Sequence, residues 1–152
     1  MRAMKARSQA SRSAGQALAE FALVAPIFFL LLFAIIESGR FVFYYEVLNN
    51  ATREGARYAI VNGANSFSST GSPAAPGTTS SNPSGSDVVD RVRSAAFGMP
   101  GSAISVNASW DPDNGRGSTV TVIASYSYSS LVPIVPLPPI TVEAESSLVI
   151  NN

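Results

Sequence analysis

Gly15-Gln16-Ala17-Leu18-Ala19-Glu20-Phe21 lies between a basic leader and a long apolar run, and Glu20 stands at the mouth of that run. A lone carboxylate in hydrocarbon costs about 2.5–3.5 kcal/mol on insertion scales, so such a group needs a partner. If the chain were cut after Gly15, the new α-amino group on Gln16 would supply a cation next to this carboxylate.

Upstream of this stretch, residues 1–15 hold four bases (Arg2, Lys5, Arg7, Arg12) and no acid. The remaining 16–152 carry six bases against ten acids, about −4 from side chains. A cut chain would therefore be acidic, which argues against a nucleic-acid partner, since that needs a clustered basic footprint. The 152 residues contain no cysteine and no histidine, which excludes disulfides, thiolate metal sites and imidazole or thiol catalysis. Charged residues make up only 13% of the chain, and 63–86 is rich in Ser, Gly, Pro and Thr, a balance that suits an exported surface protein.

Downstream, residues 17–36 are twenty positions whose single charge is Glu20. About 20 apolar residues span the roughly 30 Å hydrocarbon core. With the leader bases all before the run, the positive-inside rule predicts a cytoplasmic N-terminus and an external C-terminus. A secretory signal would place a small-residue cleavage site after the apolar core. Here the core ends in Ile36-Glu37-Ser38-Gly39-Arg40, a poor site of that kind. A basic, Ser-rich transit peptide and a plain uncut anchor are the other readings, and the uncut anchor leaves Glu20 unexplained. Pro26 removes one helical hydrogen bond and crowds the carbonyl of Ala22, so a kink or local loosening is expected there.

The helical pattern continues past the run. Phe41, Tyr44, Tyr45, Leu48, Ala51, Tyr58 and Ala59 recur at three- and four-residue steps, with Glu37, Arg40, Arg53, Glu54 and Arg57 among the polar positions between them. One helix over 16–62 is expected, about 70 Å long at 1.5 Å per residue, with 17–36 in the membrane and 37–62 exposed and amphipathic. Gly63 after Asn62 is the expected left-handed C-cap. Gly39 and Gly55 are weak points, each about 1 kcal/mol less favourable than Ala in a helix interior.

Residues 63–86 read as a flexible loop. A short helix is expected over 87–97, capped by Ser86 or Asp87 and ended by Gly98. The period then becomes two. Ile104, Val106, Ala108 and Trp110 alternate with polar residues, Asp111-Pro112-Asp113-Asn114-Gly115 signals a turn, and 119–128 forms the return strand. Proline-rich 131–139 is expected to be an extended edge segment or loop, and 140–150 a third strand. A core built from 87–152 alone is marginal, so this head is expected to pack on residues 41–61 of the helix. The fold class is therefore α+β, a long N-terminal transmembrane and amphipathic helix carrying a small antiparallel sheet with one short helix.

No catalytic constellation emerges. Nucleophilic catalysis without His or Cys would pair Ser with Lys, and the lone lysine is Lys5 in the leader. Asp111, Asp113 and Asn114 have calcium-ligand chemistry but lack the downstream Glu of an EF-hand loop, and turn chemistry explains them more simply. Glu143 and Glu145 share a strand face and mark a solvated surface. Asn50-Ala51-Thr52 and Asn107-Ala108-Ser109 match the glycosylation acceptor triplet, a pattern too short to weigh. Trp110, Tyr126 and Tyr128 fit a sheet core better than an exposed binding stripe. No metal, no cofactor and no small-molecule substrate are implied.

The 15–21 stretch, the run after it, Ile36-Glu37-Ser38-Gly39-Arg40, and Ala51-Thr52-Arg53-Glu54-Gly55-Ala56-Arg57-Tyr58-Ala59 together resemble the TadE-like family, the pseudopilins of tight-adherence, type IV-related pilus systems. The resemblance covers about residues 14–62. It implies cleavage between Gly15 and Gln16 by a prepilin peptidase on the cytoplasmic side. It further implies assembly through Glu20 and Phe21, with Glu20 neutralising the mature amine of a neighbouring pilin or pseudopilin subunit. Glu37, Gly39, Arg40, Arg53, Glu54, Gly55, Ala56 and Arg57 are the positions that carry the family pattern. Two departures stand out: Gln16 occupies the place where type IV pilins commonly have Phe or Met, often N-methylated, and the head lacks a disulfide loop. The reading is a non-enzymatic, single-pass structural subunit; the alternatives are a membrane-anchored external binding module or adhesin, and an envelope enzyme.

Overall fold

The computed structural model describes residues 2–71, 82, 84–130 and 140–151. Expected segment 131–139, and 72–81 and 83 of the expected loop, lie outside the described residues. The chain divides into two compact units, Met1–Gly39 and Arg40–Asn152.

Helix α1 (Arg2–Val61) supplies the first unit and opens the second. It starts at Arg2 rather than at the expected residue 16, because the leader is itself rich in good helix formers such as Ala3, Met4, Lys5, Ala6 and Arg7. The helix also continues through Pro26. In the first unit the apolar side chains are uncovered; Leu18, Phe21, Leu23 and Ile27 are 68–74% exposed. At about 25 cal/mol per Å² of apolar surface, such a stretch is unstable in water and requires a cover of lipid or other helices.

The second unit is α+β. It holds the end of α1, α2 (Ser86–Ala95), a 3-10 turn at Gly101–Ala103, and strands β1 (Ile104–Asp111), β2 (Thr119–Tyr128) and β3 (Ile140–Val149). The sheet is antiparallel in the order β1-β2-β3. Trp110 pairs with Val120, and Tyr126 lies between Ile104 and Val142. Strand alternation places Val120, Val122 and Ala124 of β2 on the same face as Val142 and Ala144 of β3, and all five are buried. They meet Leu48, Ala51, Ala56 and Ala59 of α1, with Val88 and Val92 of α2 completing the core. Alanines recurring along this face of α1 let the neighbouring elements approach the helix axis closely. Tyr45 departs from expectation: it is 45% exposed, while Thr52, Gly55 and Ala56 turn inward.

Two expected caps are replaced by side-chain chemistry. Gly63 is not left-handed. Instead Asn62 folds its Nδ2 back onto the Tyr58 carbonyl (2.9 Å) while its own N–H donates to the same oxygen (3.1 Å), closing α1 without a positive φ. At α2 neither Ser86 nor Asp87 caps; Gly85 takes that position at φ 69°, and the Ser86 N–H donates to Asn82 Oδ1 at 3.3 Å. Gly98, at φ 78°, lies three residues past the end of α2, in the following turn.

Candidate assembly segment

Gly15, Gln16, Glu20 and Phe21 sit together at the start of the uncovered stretch, all exposed. Gln16 Nε2 donates to Glu20 Oε1 at 3.1 Å across one helical turn. Among the described residues, the Glu20 carboxylate thus has a neutral amide as its partner rather than a cation. Gly15 has no packing reason to be glycine, since an added Cβ there meets nothing within 4 Å. The same holds at Gly39. Pro26 lies further along, where Phe28, Phe29 and Phe33 contact one another in sequence (ring centroids 5.6 and 6.5 Å). Among the described residues, one helical stretch, within Gly15–Val61, is long and apolar enough to cross a membrane.

The later pattern residues do different work. Gly55 is required by packing: a Cβ there would overlap Val92 Cγ2 and touch Val88 and Val122 methyls at 3.7 Å. Ala56 is fully buried beside it. Glu54 reaches across to α2 and pairs with Arg91, whose Nε lies 3.2 Å from its Oε1 and whose Nη2 makes the closer contact. Hydrogen bonding and charge attraction from Arg91, with a smaller attraction from Arg57, hold the Glu54 carboxyl below its usual range. Arg53 and Arg57 are exposed, and Arg57 borders an open depression with Glu54, Tyr58, Val61 and Asn62.

Arg40 opens the second unit. Its guanidinium lies over the rings of Tyr44 (5.7 Å) and Tyr128 (5.6 Å). Phe41 meets Tyr128 edge-on at 5.6 Å, and Tyr44 meets Tyr126 at 5.5 Å. This aromatic group ties the start of the second unit's helix to the C-terminal end of β2. Glu37 is half-buried in the first unit. Gly15, Gln16, Glu20 and Phe21 are thus exposed, whereas Glu54 and Gly55 hold α1 to α2.

Residues 15–57 match the family model described as TadE-like protein. The TadE-like stretch begins at Gly15 and takes in the Glu20 position, the uncovered apolar run, Arg40 and the Arg53–Arg57 block. No curated protein and no solved structure matches the chain.

Other residues singled out from sequence resolve into structural roles. Asp113 Oδ1 accepts from Ser118 Oγ (2.6 Å) and the Gly115 N–H (2.7 Å), and these two donors hold its carboxyl below the usual range. That is turn chemistry. Asn114 is buried and donates through Nδ2 to the Thr70 carbonyl, tying the turn to the segment after α1. Glu143 and Glu145 are exposed on β3. Thr52 is buried with its hydroxyl on the Leu48 and Asn49 carbonyls (both 2.9 Å), while Asn50 is exposed. Arg91, the partner of Glu54, was missed by sequence reasoning; its place one residue before the buried Val92 was the available signal.

Proposed function

We propose that the chain is a pseudopilin-like structural subunit of a tight-adherence pilus system. It inserts with its N-terminus in the cytoplasm, and a prepilin peptidase removes residues 1–15. The mature helix then assembles with other pilin or pseudopilin subunits, and Glu20 takes up the amine of a neighbouring Gln16. The observation that carries this reading is the Glu20 carboxylate at the head of an uncovered apolar helix, with a neutral amide as its partner. Two buried opposite charges satisfy each other, whereas either alone is strongly penalised. Gly15 fits the same reading. A helix-interior glycine with open space around it costs the chain about 1 kcal/mol and gains it no packing, which suits a residue kept for a protease to read.

The head, by contrast, holds itself together through Gly55, Glu54 and Arg40, leaving the helix to make the intersubunit contacts. The test is assembly in cells that supply the peptidase and partner subunits. Glu20→Ala should be processed yet vanish from sheared filament fractions, while Gly15→Ala should remain a full-length membrane protein. If both variants match the wild type in size and fractionation, the chain is an anchored external module instead.

A further inference from the structure

The residue that cleavage exposes has chemistry of its own. An unprotonated N-terminal glutamine can attack itself. The α-nitrogen lone pair adds to Cδ, an N–Cδ bond forms, and the Cδ–Nε2 bond breaks. Ammonia leaves with a proton from the amine, and a neutral pyrrolidone ring remains. No co-reactant is needed. Phe or Met at this position has no such route.

We infer that the mature Gln16 terminus is a lactam-forming modification site whose closure Glu20 restrains; this rests on the proposed cut after Gly15. Two features of the structure carry it. Among the described residues, a Cβ added at residue 15 meets nothing within 4 Å, so the space beside the new terminus is open. Gln16 Nε2 is held by Glu20 Oε1 at 3.1 Å, one turn down the helix. That bond draws the carboxamide along the helix and away from its own nitrogen, whereas closure requires Cδ to swing back. The same carboxylate, beside the freed amine, also favours the ammonium, which has no lone pair to attack with.

Closure has a functional consequence. The lactam carries no charge, so a closed subunit has no cation to set against the Glu20 of its neighbour. Closed subunits therefore leave the pool that can assemble through charge neutralisation. Glu20 thus has a second role within its own chain, keeping the terminus it will need in a partner.

Full-length chain is coexpressed with a matching prepilin peptidase, extracted in detergent as dispersed subunits and incubated, with intact and N-terminal peptide masses followed over time. Wild type, Glu20→Ala and Gln16→Met are compared. The expected result is a cut chain that loses one ammonia at its N-terminal peptide, in a larger fraction for Glu20→Ala than for wild type and not at all for Gln16→Met. Cut chains with equal loss in wild type and Glu20→Ala, including none in either, overturn the inference while leaving cleavage intact. Loss that persists in Gln16→Met overturns it too. Precursor mass throughout means that the cleavage reading has failed and takes the inference with it.

Discussion

Replacing Gly55 by alanine sets two effects of known size against each other. On propensity alone, Gly to Ala in a helix interior gains about 1 kcal/mol. At this position the new methyl enters space held by Val92 Cγ2, with Val88 and Val122 methyls in ordinary contact on either side. Val92 is fully buried and β-branched, so it has little rotamer freedom with which to retreat. Overpacking of this kind costs about 1–3 kcal/mol. The net expectation for Gly55→Ala is a loss of about 0–2 kcal/mol, where an open site would show a gain. Adding Val92→Ala should return part of that loss, giving a favourable coupling of about 1 kcal/mol or more between the two sites. Urea unfolding of the full chain in detergent, followed by the fluorescence of its single tryptophan, Trp110, reads the second unit directly. An alanine variant more stable than wild type by the full propensity gain would refute close packing of α1 on α2.

Three further outcomes follow from the same contacts. Arg91→Ala should let the Glu54 carboxyl titrate higher, towards its ordinary value, in an NMR pH titration. Because the Glu54 value is depressed in the folded chain, the pair's contribution is present above the unfolded carboxyl value and is lost as pH falls through the folded one; the variant should lack that acid-side decline. Arg40→Ala removes a guanidinium from two tyrosine faces and should cost about 0.5–2 kcal/mol in the same unfolding assay, with Arg40→Lys recovering part of it. Ser118→Ala should raise the Asp113 titration, since that hydroxyl is the leading cause of its depression.

Much of the architecture was legible because its signals are local and periodic. Strand β2 coincides with the expected 119–128, since Val120, Val122 and Ala124 alternate cleanly and the Asp111–Gly115 turn precedes them. Strands β1 and β3 differ from expectation by one residue at an end, where pairing rather than pattern decides. Long-range matters were less legible. Gly55 reads as a helix weakness in sequence and is a packing requirement in space, which only the position of Val92 reveals. Glu54 looks like one more polar surface residue until α2 brings Arg91 across from 37 positions away. Asn62 and Asn82 cap through side chains where glycine or serine geometry was expected, because a short amide finds a carbonyl or N–H at several loop geometries. The contact recorded for Glu20 is sequence-local by contrast: among the described residues Gln16, one helical turn away, donates to it.

The intact mass of the protein extracted from membranes of cells with an active, matching prepilin peptidase tests the central claim most directly. The account predicts a chain lacking residues 1–15 and beginning at Gln16, as amine or lactam. A chain that keeps Met1 through Gly15 in those cells contradicts it.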